Sequence, residues 1–169
     1  MVLDLKGFFN GGNRELKIDT ELDFSKEEYG GEYIFPTPVS VVGKVSNKAD
    51  VTHIDLVCNV TVEKSCDRCG LLTKKNLTVN INRVAVNQLE GEEDYEILLI
   101  PDEKLDLFEF CFGEILLALP MKHLCSEECK GICPSCGKNL NDGPCGCVTK
   151  SIDPRLEVLA KLLEQDQED

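Results

Sequence analysis

The residues of this sequence with the clearest chemical purpose are its cysteines. There are ten, and most fall in close pairs: Cys66/Cys69, Cys125/Cys129, Cys133/Cys136 and Cys145/Cys147. That grouping favours metal ligation in a reducing cytosol, because a chelating pair needs short spacing and a disulfide framework does not. The strongest unit is Cys133-Pro-Ser-Cys-Gly-Lys138. Two thiolates two residues apart can grip one ion from a tight turn, and Gly137 supplies the left-handed backbone that turns neighbouring N–H groups toward sulfur. A closed tetrahedral site needs two more ligands, which the flanking pairs offer. The expected ligands are four of Cys125, Cys129, Cys133, Cys136, Cys145 and Cys147. The preferred set takes Cys133, Cys136 and one cysteine from each flanking pair, since Cys145-Gly-Cys147 is a cramped chelate. An all-thiolate shell predicts one structural Zn2+. A catalytic zinc keeps an open position and usually takes His or carboxylate ligands, and the nearby histidine is His123 alone. In a segment this poor in hydrophobic residues, metal binding would itself supply folding energy, on the order of 10 kcal/mol.

Cys66-Asp-Arg-Cys69 admits three readings. It can donate to the same zinc, hold a metal of its own, or act as a redox dithiol. It falls between antiparallel strands rather than after a strand at a helix N-terminus, which argues against thioredoxin-like chemistry. A CxxC thiol-disulfide oxidoreductase is the competing enzyme reading. No nucleophile elbow, glycine-rich phosphate loop or H-E-x-x-H motif occurs, and Glu92/Glu93 and Glu127/Glu128 belong to acidic loops without sign of a pocket. The expectation is therefore a protein with no catalytic residues and no small-molecule substrate.

The elements that must position these cysteines follow from periodicity. Val39–Ser46 reads as a short strand. Val51–Lys64 alternates, with Ile54, Leu56, Cys58, Val60 and Val62 on one face and His53, Asp55, Asn59, Thr61 and Glu63 on the other; that period of two is a half-buried strand. Leu77, Val79 and Ile81 repeat it, and the phase then slips at Asn82–Arg83, which predicts a bulge. Ser65–Asn76 is a hairpin-like connection carrying Cys66 and Cys69, and Gln88–Tyr95 is a polar, acidic loop. Leu105, Phe108, Phe112, Ile115, Leu116 and Leu119 recur at helical spacing, with Asp106 and Glu109 as a variant capping box and Pro120 as the stop. Cys58 and Cys111 fall on apolar faces and are expected in the core. A last helix opens at Asp153-Pro154, with Leu156, Leu159, Ala160 and Leu163 as its stripe. The predicted class is α+β: an antiparallel, barrel-like sheet with a packed helix near 106–119 (residues 1–120), a Cys-rich zinc-knuckle lobe (121–150), and a C-terminal helix with an acidic tail (151–169).

Charge bears on partners. The formal net charge is −13, so the chain as a whole repels polyanions. Between Glu90 and Glu114 the sole base is Lys104, whereas Lys64, Arg68, Lys74, Lys75 and Arg83 are interrupted only by Asp67. No run approaches the roughly 18 apolar residues of a membrane span. Asp4 and Lys6 stand where a signal peptide would be apolar, so the expected location is the cytoplasm.

The run from Leu119-Pro-Met-Lys-His-Leu-Cys125 through Cys133-Pro-Ser-Cys-Gly-Lys-Asn-Leu-Asn141, then Cys145-Gly-Cys147 and Asp153-Pro-Arg155, resembles the YceD family of bacterial and plastid proteins tied to accumulation of the large-subunit ribosomal RNA. Cys66-Asp-Arg-Cys69 and the acidic segment before the apolar helix match as well, so the likeness spans roughly residues 30 to 165. The resemblance implies a role in ribosome biogenesis, in support of 23S rRNA processing or large-subunit assembly, with the large-subunit precursor as partner. Two routes are open. Lys64, Arg68, Lys74, Lys75, Arg83, Lys130 and Lys138 could contact rRNA phosphates. Alternatively the acidic arm, with Glu92, Glu93 and Asp94, could hold a basic ribosomal protein. Net charge and the absence of an aromatic platform for single strands favour the second. A zinc-ribbon adaptor acting outside the ribosome is the remaining non-enzymatic alternative.

Overall fold

A computed structural model describes residues 1–10, 14–48, 51–88 and 97–147. The expected helix at Asp153 and the candidate acids Glu92, Glu93 and Asp94 lie outside the described residues. The chain divides into two compact units. The first comprises Met1–Ser65 and Leu72–His123, the second Cys66–Leu71 and the residues from Leu124 onward. Among the described residues no helix is long and apolar enough to cross a membrane.

The first unit is α+β. Strands β1 (Val2–Asp4), β2 (Glu15–Leu22), β3 (Val39–Lys48), β4 (Val51–Ser65), β5 (Leu72–Val86), β6 (Ile97–Leu99) and β7 (Lys104–Asp106) accompany a short helix α1 (Lys6–Phe9) and a longer one, α2 (Leu107–Ala118). Strands β2 to β6 form one curled half-barrel sheet in sequence order, and β1 pairs with β7. Every β2–β5 pairing is antiparallel, while β6 joins β5 in parallel. Alternation in β4 is borne out: Ile54, Leu56, Cys58, Val60 and Val62 are all buried. They meet Val39, Val41 and Val45 of β3 and Val79, Ile81 and Ala85 of β5 in one core. Gly43 stands opposite Leu56; a Cβ there would collide with the Asp55 carbonyl and come within 2.8 Å of the Leu56 Cα. Glycine is thus what lets β3 and β4 approach at that point.

Helix α2 covers the core with Leu107, Cys111 and Ile115. Asp106 caps it, its carboxylate accepting the Phe108 N–H at 2.9 Å, and the chain leaves the helix one residue before Pro120. Phe108 and Phe112 lie 4.7 and 5.3 Å from Phe24, centroid to centroid, and Phe24 meets Phe35 edge-on at 6.0 Å. Such pairs add about 1 kcal/mol each beyond area burial, which fixes the loop carrying Phe24 and Phe35 under the helix.

Two expectations are corrected. There is no bulge at Asn82–Arg83: the β4–β5 register runs unbroken from Ser65↔Leu72 to Thr52↔Ala85. Arg83 simply takes an inward position of β5, where Glu114 of α2 holds its guanidinium through two bonds of 3.0 and 2.8 Å. The connection between β4 and β5 is also shorter than Ser65–Asn76. Polar Thr73–Asn76 pairs as strand because the neighbouring strand satisfies its backbone, with Glu63 and Lys74 facing each other as an ion pair at 3.0 Å.

Candidate metal centres

In the second unit the eight paired cysteines converge into two groups. Cys66, Cys69, Cys125 and Cys129 form one, and Cys133, Cys136, Cys145 and Cys147 form the other; within each, the sulfurs all lie within 4.8 Å of one another. The geometry differs from the preferred set. Cys125 and Cys129 turn away from the Cys133 knuckle and toward Cys66 and Cys69, while Cys145 and Cys147 both join Cys133 and Cys136 despite their cramped spacing.

The first group is built on a tight turn. The Gly70 N–H returns to the Cys66 carbonyl at 2.8 Å and the Cys66 N–H bonds to the Leu71 carbonyl at 2.9 Å. Gly70 has φ +73°, a left-handed conformation that glycine adopts freely. Arg68 projects from this turn and donates to the carbonyls of Cys129 at 2.9 Å and Glu127 at 3.4 Å, holding the second cysteine pair in place. The second group repeats the same turn. The Gly137 N–H reaches the Cys133 carbonyl at 2.9 Å, and Gly137 has φ +71°. Lys138 steadies this loop through the Pro144 carbonyl at 3.2 Å, and the Cys133 N–H bonds to the Lys138 carbonyl at 2.8 Å.

Sulfur geometry tests whether a metal would fit. A tetrahedral thiolate shell with bonds of about 2.3 Å has sulfur–sulfur edges of about 3.8 Å. Cys66 lies 3.8 Å from Cys129, and Cys69 lies 3.6 Å from Cys125. All of these cysteines are free thiols. Each group can therefore hold a metal ion.

The electrostatics point the same way. Burial works against ionisation of Cys66, yet the N–H groups of Cys125, Arg68 and Cys69 bring its thiol down to about 6. The N–H groups of Cys136 and Ser135 bring Cys133 to about 6 as well. Their neighbours respond in the opposite sense. The Leu71 N–H favours a Cys69 thiolate, but burial and the surrounding thiols leave it pushed up to about 12. Cys136 and Cys145 push Cys147 up to about 12, and Cys129 raises Cys125. Cys66 and Cys129 in the first group and Cys133 in the second are prepared to carry charge, and a full set of four thiolates requires a cation among them.

His123 belongs to the first unit and to neither group: it is buried, with Nε2 2.8 Å from Thr73 Oγ1. The cations proposed for phosphate contact are divided between the two units. Arg68, Lys130 and Lys138 belong to the second unit, and Lys64, Lys74, Lys75 and Arg83 to the first. Arg83 is held by Glu114, Lys74 by Glu63, and Arg68 by backbone carbonyls. Sequence reasoning missed that Cys66-Asp-Arg-Cys-Gly70 and Cys133-Pro-Ser-Cys-Gly137 are one motif used twice, which is the signal that each anchors its own group.

Among known proteins, the family model described as "Large ribosomal RNA subunit accumulation protein YceD" matches residues 54–163, a span containing all eight paired cysteines. The chain is 28% identical to the uncharacterized protein YlbN of Bacillus subtilis over 134 residues, 78% of each chain. It is 25% identical to the Arabidopsis thaliana chloroplastic large ribosomal RNA subunit accumulation protein YCED homolog 1 over 167 residues, 81% of this chain and 52% of that one. A Mycobacterium bovis protein, Mb2951c, is 35% identical over 74 residues, 44% of this chain and 35% of that one. No solved structure matches. With more than half of its length matched by the family model, and with the paired cysteines inside the match, the chain belongs to the YceD family.

Proposed function

We infer that this chain is a non-enzymatic ribosome-biogenesis factor that supports accumulation of the large-subunit rRNA, in a cytoplasmic setting that keeps its thiols reduced. The observation that carries the reading is the family match itself, which places the chain among proteins described by large-subunit rRNA accumulation and spans both cysteine groups. The two groups are read as structural zinc sites. Zinc bound there would supply the cross-links that a unit with few buried apolar residues lacks. Four thiolates per ion leave no open position for a substrate or water, in keeping with a structural role. Sulfurs of Cys66 and Cys69 face Cys129 and Cys125, an arrangement of ligands rather than of an exposed attacking thiol.

The partner we favour is a protein component of the large-subunit precursor. Arg83, Lys74 and Arg68 are already engaged within the chain, and the net charge of −13 opposes free RNA. The acids from Glu90 onward, including Glu92, Glu93 and Asp94, suit a basic ribosomal protein.

The test is genetic and quantitative. Cells lacking the chain should show a lowered ratio of mature large- to small-subunit rRNA, restored by the wild-type gene. An unchanged ratio under conditions of rapid ribosome synthesis would refute the reading.

A further inference from the structure

Strand β5 is an open edge along most of its length. It pairs with β6 only at Val84–Val86, so among the described residues no strand covers the outer side of Leu72–Arg83. Open edges present rows of unpaired backbone donors and acceptors, and proteins either block them or use them to take up another strand. Here a cleft of about 370 Å³ adjoins the edge, lined within the first unit chiefly by Ile34, Val62, Leu77, Leu116, Leu119 and Met121, with Lys64 and Lys75 among its walls. Three consecutive residues of β5, Lys75, Asn76 and Leu77, line it. Successive strand residues point to opposite faces, so the cleft reaches the strand's backbone edge as well as its inward face.

The mouth of the cleft is apolar as well. Leu117 is 82% exposed and Met121 is 100% exposed, at the end of α2 where the chain turns through Pro120. Both line the cleft's mouth and stay largely in water, apolar surface that a polypeptide lying along β5 would cover. Methionine at such a rim adapts to the side chain it receives. Charge then selects the occupant. Lys75 lies opposite Val62 on the same inward face as Leu77, so an added strand whose inward-facing row, every second residue, carries both apolar and acidic side chains is matched, and one with basic residues in that row is repelled.

We propose that the open edge of β5 and the cleft beside it receive an extended segment of a partner polypeptide that adds as a strand to the sheet, the residues on its inward face being apolar and acidic by turns. The cleft is lined by none of the eight paired cysteines, and the proposal stands whether or not the ribosomal reading holds.

The experiment uses the full chain purified without chelator and a fluorescein-labelled octapeptide repeating Thr-Leu-Thr-Glu, which puts Leu and Glu on one face of a strand, followed by anisotropy. Binding should saturate, and the same peptide with Lys in place of Glu should bind at least about tenfold more weakly. Lys75→Glu and Met121→Glu, both at exposed positions, should each weaken binding by about tenfold. Amide exchange in Leu72–Arg83 should slow in the complex. No saturable binding, equal affinity for the two peptides, unchanged affinity in both variants, or binding without slowed exchange on β5 would each overturn the proposal. So would sedimentation showing a dimer that Met121→Glu dissociates, since the cleft would then belong to a second copy.

Discussion

The side-chain amide of Asn141 lies 3.4 Å from the sulfur of Cys129 and donates to it. Asn141 sits between the two halves of the second cysteine group, within the Leu140–Asp142 turn, yet Cys129 belongs to the first group. Its Oδ1 also accepts the Lys130 N–H at 2.8 Å, and its own N–H is held by Asn139. This amide is the main influence lowering the Cys129 thiol below its usual range. One residue of the second knuckle therefore orients and charges a ligand of the first.

Asn141→Ala should consequently weaken metal at the Cys66 group by about 10- to 100-fold, the usual effect of removing a partner of a metal ligand. Competition with a chromophoric chelator would show it. The Cys133 group, which does not receive that bond, should change far less.

Arg83 and Glu114 form a two-pronged pair whose side chains are 27% and 16% exposed. Truncating either leaves its partner's charge half-buried, at a cost of about 2 kcal/mol, below the figure for fully buried pairs because water still reaches the site. Arg83→Met with Glu114→Leu should recover most of that loss. Urea denaturation of both single variants and the double variant measures it.

Gly43→Ala should destabilise the first unit by about 2 kcal/mol, because the added methyl must push aside the backbone of β4 rather than a side chain. The melting temperature of the sheet would fall accordingly, with metal content unchanged.

Asp106 is held below the usual carboxylate range, first by the Phe108 N–H that it caps and then by the N-terminal amine of Met1. A depressed folded pKa gives stability that is present above the unfolded value and lost as pH falls through the folded one. Helix α2 should therefore loosen on acidification below the ordinary aspartate pKa of about 4. In Asp106→Asn, which keeps the cap and loses the charge, that part of the pH dependence should vanish in thermal melts.

The sheet was legible wherever both faces of a strand differ in polarity, as in β4, where every expected core residue is buried. Arg83 broke the pattern because its inward row ends under α2, and the acid that satisfies it lies 31 residues away. Strand β2 carries the same alternation, with Leu16, Ile18 and Leu22 on one face and Glu15, Lys17, Asp19 and Glu21 on the other, and was missed although legible; β1, three residues long, is too short to show a period. For the cysteines, residue type announced a thiolate site, but neighbourhood in sequence misled. Cys125 and Cys129 sit close to Cys133 along the chain, yet their sulfurs meet a pair 56 to 63 residues earlier. The repeated Cys-x-x-Cys-Gly turn signals two groups, but which second pair completes each is set by how the backbone folds.

Two metal centres are the claim on which the rest stands, and metal stoichiometry tests it most directly. Native mass spectrometry of protein purified without chelator should find about two zinc ions per chain. Cys66→Ser and Cys133→Ser should each lose one, from different groups, and Cys58→Ser, which alters a buried core thiol, should keep both. A wild-type chain carrying a single zinc, or none, would contradict the account.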